Sequence, residues 1–391
     1  MLKILHLISS LDLGGTEIQL AKLLARMDGA RLQHCVVSLI PVGPVGEMMR
    51  TRGIPVYSLG MRRGAPSLSA LWKLWRVVRA EKPQVLQTWL YHADLLGLLV
   101  GKLAGIPALV WNLRCSNVDM QHYPKFSGLV VRILSGLSGL PDVVIVNSQA
   151  GRLTHAHLGY HPKRFEVIPN GFELDQFRPD ASAREWLLSE FKLPKDAVIV
   201  GLIARYDPMK DHQTFLAAAR LLRMTYPNAH FVLCGRGVYP SNSMLMRWVK
   251  DYGLNGTVHL LGERTDIPRM TAAMDIGTSC SFGEGFPNTV GEAMACGVPC
   301  VVTDVGDSAQ IVGKTGRVVP PRNPEAFARA LSDLIECGPE ARKRLGRQAR
   351  ARIAEQFDIN QIVVRYEELY QVLWSKVLAQ CDQGEPGLSH P

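Results

Sequence analysis

The sequence predicts an α/β protein built of two doubly wound parallel sheets, and three observations carry that expectation. Short runs of β-branched and apolar residues recur between segments of helical periodicity, the pattern of strand, helix, strand that buries a parallel sheet on both faces. The pattern restarts near Ala197, after the linker-like Phe177-Arg178-Pro179, so that 391 residues, too many for one ordinary core, fall into domains at 1–180 and 190–357. Between Met274 and Asp304 one unit is complete in itself. An apolar run ends in a glycine-rich turn at Gly283 to Gly285, Pro287 and Asn288 open a helix, Gly297 stops it, and Cys300 to Val302 starts a second buried strand.

In the first domain, Ile4 to Ile8 reads as a strand rather than a signal peptide, because its apolar run passes into Ser9, Ser10 and Asp12 without a cleavage site. Gly14 and Gly15 follow, before a helix with Ile18, Leu20, Ala21, Leu23 and Leu24; adjacent glycines let a ligand approach the backbone. Their spacing is not Gly-x-Gly-x-x-Gly, which argues against a nicotinamide or flavin enzyme. A strand at Gln33 to Ser38, a loop rich in Pro and Gly, and a strand at Pro55 to Ser58 come next. The helix from about Leu68 to Ala80 is expected to bury Leu71, Leu74, Trp75 and Val78 and to turn Trp72, Lys73, Arg76 and Arg79 outward, with Arg62 and Arg63 upstream. Such a face fits an anionic membrane surface or simply solvent. Val85 to Thr88 is a strand ending in Trp89 to Asp94, and ligand contacts gather at the C-terminal ends of parallel strands, so His92 is the candidate here. Leu95 to Val110 is apolar but too short and broken to span a bilayer. Strands at Ala108 to Asn112, Val143 to Val146 and Phe165 to Pro169 lead to the turn Asn170-Gly171.

In the second domain, Ala197 to Ala204 is a strand, and Arg205 and Lys210 flank the loop before a helix at Gln213 to Met224. A planar guanidinium fork and a point charge are suited to clasping a diphosphate and to neutralising a departing phosphate; a surface ion pair is the plainer alternative. Strands at His230 to Cys234 and Val258 to Leu261 precede the central unit. There the amides of Asn288, Thr289 and Val290, at a helix start, are expected to form an anion site. Glu284 and Glu292 flank it, which fits a ligand with hydroxyls on both sides of its phosphates, as in a nucleotide sugar. Alternatively Glu292 complements the helix dipole and Glu284 is solvated. Helices are expected at Pro324 to Ile335, Ala341 to Phe357 and Asn360 to Val377, and a flexible tail at 381–391. A formal charge of +9 favours acidic partners. The eight cysteines, at 35, 115, 234, 280, 296, 300, 337 and 381, follow neither zinc nor disulfide spacing and point to the cytoplasm.

Read in order, Gly14-Gly15-x-Glu17, Asn170-Gly171 with Phe177 and Pro179, Arg205 with Lys210, and Glu284 separated by seven residues from Glu292-Ala-Met-Ala-Cys-Gly-Val-Pro closely resemble the family 4 retaining glycosyltransferases of the GT-B fold. The likeness runs from about Leu2 to Trp374, and the Trp-x-Tyr-His-Ala-Asp sequence around His92 is similar to members that build bacterial cell-surface polysaccharides. The resemblance implies two Rossmann-like domains facing across a cleft, the donor held mainly by the second, and a last helix at about 358–378 crossing back to the first. It implies that Arg205 and Lys210 bind the diphosphate, Glu292 the ribose and Glu284 the sugar, with His92 near the reacting carbon. Gly14 and Gly15 would approach the phosphates and acceptor, and Phe286, Asn288, Thr289 and Val290 would complete the donor site. The activity implied is retaining transfer of a hexose from a UDP- or GDP-sugar to a glycan or lipid-linked acceptor, with no metal or other cofactor and no nucleic-acid partner. The place implied is the cytoplasm, peripheral on the inner face of the membrane. Where the family often has Gly-Gly and then Glu, this chain has Gly306-Asp307-Ser308-Ala309-Gln310, so Gln310 receives no role. The rival expectations are a nucleotide-sugar epimerase or hydrolase on the same fold, and a non-catalytic nucleotide-sugar-binding protein.

Overall fold

A computed structural model describes residues 1–62, 67–114 and 125–383, without the side chains of 125–127 and 380–383. Arg63, Cys115, the Cys381 side chain and the tail 384–391 lie outside the described residues. The chain divides into two compact units, residues 1–170 together with those from Ile359 on, and Gly171–Asp358.

The first unit runs β1 (Leu2–Ile8), α1 (Gly15–Leu24), β2 (Leu32–Ser38), α2 (Pro44–Thr51), β3 (Val56–Ser58), α3 (Leu68–Glu81), β4 (Val85–Trp89), α4 (Tyr91–Leu103), β5 (Ala108–Leu113), α5 (Lys125–Leu137), β6 (Val143–Val146), α6 (Gln149–His157) and β7 (Phe165–Val167). The second runs α7 (Ala183–Glu190), β8 (Val198–Ile203), α8 (His212–Thr225), β9 (Ala229–Cys234), α9 (Ser243–Asp251), β10 (Val258–Leu260), α10 (Ile267–Ala272), β11 (Ile276–Ser279), α11 (Asn288–Ala295), β12 (Cys300–Thr303), α12 (Ser308–Val312), β13 (Arg317–Val319), α13 (Pro324–Glu336) and α14 (Gly338–Gln356). The last helix, α15 (Ile359–Gln383), belongs to the first unit.

Both sheets are parallel, ordered β3-β2-β1-β4-β5-β6-β7 and β10-β9-β8-β11-β12-β13 among the described residues. Each order reverses once, between β1 and β4 in the first unit and between β8 and β11 in the second. At such a switch point neighbouring connections leave to opposite faces and open a crevice at the C-terminal strand ends. Alternation along β1 assigns the first unit's faces: Leu5 and Leu7 pack with α3, α4 and α5, while Ile4 and Ile8 pack with α1, α2 and α15. The last helix is also tied to the sheet by polar bonds. Asn112 donates to the Tyr366 hydroxyl at 3.0 Å, and the Tyr370 hydroxyl donates to Gln87.

Several elements depart from the sequence expectation. The Pro- and Gly-rich loop contains α2, for Pro44 is its first residue and proline costs nothing where an amide has no helical partner. Trp75 is not a core residue. The buried stripe of α3 is Ala70, Leu74 and Val78, and Trp75 stands outside with the Arg79 guanidinium over its ring. The unit boundary falls at Asn170/Gly171 rather than at 180, because Phe172 and Phe177 are already in the second unit's core, and α7 occupies most of the expected linker. Phe172 pairs with Asp358 in a parallel bridge, and its amide donates to the Phe357 carbonyl at 2.8 Å.

A histidine pair lies inside the first unit. The Trp89 indole donates to His6 Nδ1 at 3.3 Å, which leaves the His6 proton on Nε2 to bond His34 Nδ1 at 3.1 Å. Burial holds both imidazoles low, His34 at about 4, and the neighbouring His34 ring lowers His6 further. Both are neutral in folded and unfolded chain above the ordinary value of 6.5. As pH falls from there toward 4, the unfolded chain takes up protons that the folded chain does not, so stability is lost on acidification. Buried His155 and His212 shift the same way and add to the slope. Melting temperature is therefore expected to fall steadily over this window, less steeply in His34→Gln; identical slopes would show that the pair does not titrate.

Candidate active site

The residues singled out by sequence gather at the two switch points, one in each unit. In the second unit, β8 leads into a loop whose 3-10 turn, Pro208–Lys210, is capped by the Asp207 carboxylate accepting from the Met209 amide at 2.9 Å. This turn lies against the loop after β11. The Phe282 amide donates to the Met209 carbonyl at 3.0 Å, and the Cys280 thiol to the Lys210 carbonyl at 3.1 Å. The backbone thus brings Lys210 to Glu284, which form an ion pair with side chains 23% and 12% exposed. Ser281 donates to the same carboxylate oxygen at 2.7 Å. Glu284 is thereby held between a cation and a hydroxyl in a partly desolvated place, where charge interactions are stronger than in bulk water.

Arg205 is placed differently. Its guanidinium bonds Asp207 at 3.1 and 3.2 Å and is 56% exposed, so the two cations of this loop hold separate carboxylates rather than acting as one clasp. Asp207 and Ser281 are the partners that sequence reasoning missed; an acid two residues from an arginine gave the only signal.

The loop after β12 closes the third side. The Asp307 amide donates to the Gly285 carbonyl at 3.0 Å, and a Cβ at Gly306 would lie 2.5 Å from the Glu284 carbonyl oxygen. Gly306, with φ of 56°, is needed for that approach. Gln310 is exposed in α12, and its carbonyl accepts from Arg352 at 2.6 Å.

Helix α11 starts beside Glu284 as expected, with Asn288, Thr289 and Glu292 half-buried along it. Two expectations there are corrected. The Val290 amide donates to the Pro287 carbonyl at 3.2 Å and its side chain is core, so it does not offer an open N–H to an anion. Phe286 is also a core residue, its ring 6.0 Å from Phe172 and 5.7 Å from Phe357, so it anchors the loop instead of lining a ligand. An apolar side chain after a glycine-rich turn finds more contact area in the core than at a polar site. Gly291 admits the Phe172 ring, since a Cβ there would sit 2.0 Å from it.

In the first unit, Gly14 caps α1 and Gly15 is its first residue. Glu17 folds back over them: Ser10 donates to its carboxylate at 2.7 Å, and a Cβ on Gly14 would meet the other oxygen at 2.3 Å. The glycine therefore makes room first for this buried acid. His92 lies across the same switch point, not on a strand end but in the first turn of α4, half-buried, and burial lowers its pKa. Just behind it Asp94 is fully buried, accepts from Thr88, and has its pKa raised by desolvation. The described cysteines are free; burial pushes the Cys234 thiol up to about 11 and Cys296 and Cys300 to about 12, out of nucleophile range.

Two doubly wound parallel sheets in one chain, each with polar groups assembled at its switch point, are the GT-B architecture. Residues 13–176 match the family described as Glycosyltransferase Family 4, and residues 195–337 match that described as Glycosyl transferases group 1. Between them the two matches take in most of both units, so that the chain carries a family 4 glycosyltransferase domain followed by a group 1 glycosyltransferase domain.

Over 309 residues it is 23% identical to the UDP-Gal:alpha-D-GlcNAc-diphosphoundecaprenol alpha-1,3-galactosyltransferase of Escherichia coli, covering 78% of this chain and 79% of that one. Over 351 residues it is 27% identical to the N,N'-diacetylbacillosaminyl-diphospho-undecaprenol alpha-1,3-N-acetylgalactosaminyltransferase of Campylobacter jejuni, covering 86% and 90%. Among solved structures, Anabaena HepE in complex with UDP has a TM-score of 0.83 at 23% identity, over 95% of this chain and 100% of that one, a likeness of fold.

Proposed function

We propose that this glycosyltransferase moves a sugar from a UDP- or GDP-sugar, with retention and without a metal, to a lipid-linked or glycan acceptor in polysaccharide building. The observation that carries the reading is the Lys210–Glu284 pair at the second unit's switch point. Each member is the partner that one half of a nucleotide sugar would need: Lys210 turns to the diphosphate, and Glu284, still held by Ser281, accepts from a sugar hydroxyl. Arg205 adds a second cation on leaving Asp207. Glu292 is assigned to the ribose, with Asn288 and Thr289 alongside at the helix start. In the first unit His92, kept neutral by burial, is assigned a hydrogen bond to the sugar that adds no charge, and the Gly14–Gly15 turn is assigned to the phosphates and acceptor.

The bond from the anomeric carbon to the diphosphate oxygen breaks while the acceptor oxygen bonds to that carbon on the same face, and the acceptor proton passes to the departing oxygen. Lys210 and Arg205 stabilise the charge that develops there, the task a metal serves elsewhere, while the rest of the site orients the reactants. The E. coli and Campylobacter relatives are named for diphosphoundecaprenol-linked acceptors, and HepE was crystallised with UDP, which supports a UDP-sugar donor and a lipid-linked acceptor. Among the described residues no helix is long and apolar enough to cross a membrane. On the lipid-linked acceptors for which those relatives are named, we place the enzyme in the cytoplasm, peripheral on the inner face.

A panel of nucleotide sugars is expected to contain one that raises the melting temperature, since saturation at a hundred times Kd adds about 2.7 kcal/mol to stability. The same donor should be consumed only with acceptor present, in EDTA as without it. Absence of stabilisation by every UDP- and GDP-sugar would falsify the donor assignment, and donor turnover without acceptor would favour an epimerase or hydrolase.

A further inference from the structure

Helices α3, α4 and α5 lie side by side on one face of the first sheet, α4 in the middle. Their inner sides share one core, to which Ala70, Leu74 and Val78, Ala93 and Leu98, and Val130, Val131 and Leu134 contribute. Their outer sides should then be polar, as on an ordinary solvated helix. They are not. Leu68 (85% exposed), Trp72 and Trp75 stand out from α3, Leu99 and Leu103 (81% exposed) from α4, and Leu129 and Ile133 from α5. The spacing along each helix is three, four or seven residues, so these side chains form a stripe on each and a broad apolar face together.

Cations are interleaved with them. The Arg76 guanidinium lies 4.7 Å over the Trp72 ring and that of Arg79 5.5 Å over Trp75, while Lys102 and Arg132 are exposed on α4 and α5. Among the described residues of the three helices no carboxylate stands on this outer face. The acids of the three helices are Glu81, bound to Lys3 and the Tyr57 hydroxyl, and Asp94, buried against Thr88. An indole with a guanidinium stacked on it is matched to the depth where acyl chains give way to lipid phosphates.

We propose that the outer face of α3, α4 and α5 is the surface by which this enzyme rests on an anionic lipid bilayer. The sequence marked only the α3 part of it; the fold brings two more apolar helices alongside. A second copy of the chain is a poor occupant, because a two-fold pairing would press the same cations together. The inference deepens the proposed function by naming the bilayer-facing surface, and it rests on that reading only for its purpose.

Flotation with vesicles of equimolar phosphatidylcholine and phosphatidylglycerol tests it. The wild-type chain is expected to float with them at low salt, to be released at high salt, and to stay down with phosphatidylcholine alone. Each basic residue at an anionic surface is worth about fivefold in partition, so R76A/R79A should bind roughly twenty-fivefold more weakly. W72A/W75A and L99S/L103S should each lose at least about tenfold through lost apolar burial. The α4 pair is decisive for a surface wider than α3. The inference is overturned if the wild-type chain stays down with the mixed vesicles, if either apolar pair floats like wild type, or if sedimentation shows a dimer that W72A/W75A dissolves. Donor-induced thermal stabilisation, measured on every variant, reports fold and donor reading separately from lipid binding.

Discussion

Replacing Lys210 by Ala is expected to lower kcat by roughly a hundredfold to a thousandfold, the usual effect of removing one preorganised partner of developing negative charge. Two features make this position more costly than Arg205. Lys210 is 23% exposed against 56% for Arg205, so solvent screens it less, and the Met209 carbonyl and Cys280 thiol fix its turn against the loop that carries Glu284. Glu284→Gln keeps a carbonyl oxygen for Ser281 but releases Lys210 from its ion pair; it should weaken transfer chiefly through the sugar. The measurement is steady-state transfer with the best donor, kcat and KM resolved, alongside thermal melting to show that the fold survives. If K210A turned over within about threefold of wild type, the charge-stabilising role of Lys210 would have to be abandoned.

Gly346→Val is expected to damage the second unit more than any exchange at the site. Helix α14 crosses the end of α11 so closely that a Cβ at position 346 would lie 1.8 Å from the Gly297 carbonyl oxygen, and 2.7 Å from its carbon. These are backbone atoms of the turn that ends α11, where Gly297 holds φ at 76°, and they cannot rotate aside as a side chain would. Overpacking of this kind costs about 3 kcal/mol. At roughly 2–4 °C per kcal/mol for a unit of this size, the melting temperature should drop by about 6–12 °C. Because α11 begins beside Glu284, donor-induced stabilisation should shrink as well. A variant that melts like wild type would mean that the two helices part without loss, and that their close crossing does not hold α11 in place.

The strands were the most legible feature of the sequence, since a buried parallel strand is a short run of Val, Ile and Leu whatever its neighbours. Helices α2, α4 and α7 were not, each for its own reason. Pro44 and Gly43 resemble a loop until their place at a helix start is seen, α4 is apolar on both sides, and α7 lies within a stretch that reads as a linker. Apolarity on both sides of α4 erased its period and, for the same reason, hid part of the face proposed here to meet lipid. At the site, spacing brought Glu284 and Lys210 to notice, although 74 residues separate them. Spacing does not reveal that Arg205 turns to Asp207, that Ser281 shares the Glu284 carboxylate, or that Phe286 and Val290 face the core. Those depend on which way a loop side chain points, and only the packed fold decides that.

The second unit is one unbroken stretch of chain, whereas the first lacks α15 until all of the second has been made. On the ribosome, residues 171–358 have all their own partners before Tyr366 and Tyr370 emerge to meet Asn112 and Gln87. The earlier-made lobe is thus the later one to mature, and while the second is being made the sheet face bearing Ile4 and Ile8 waits without its last cover. A nascent chain in that condition has reason to need a chaperone.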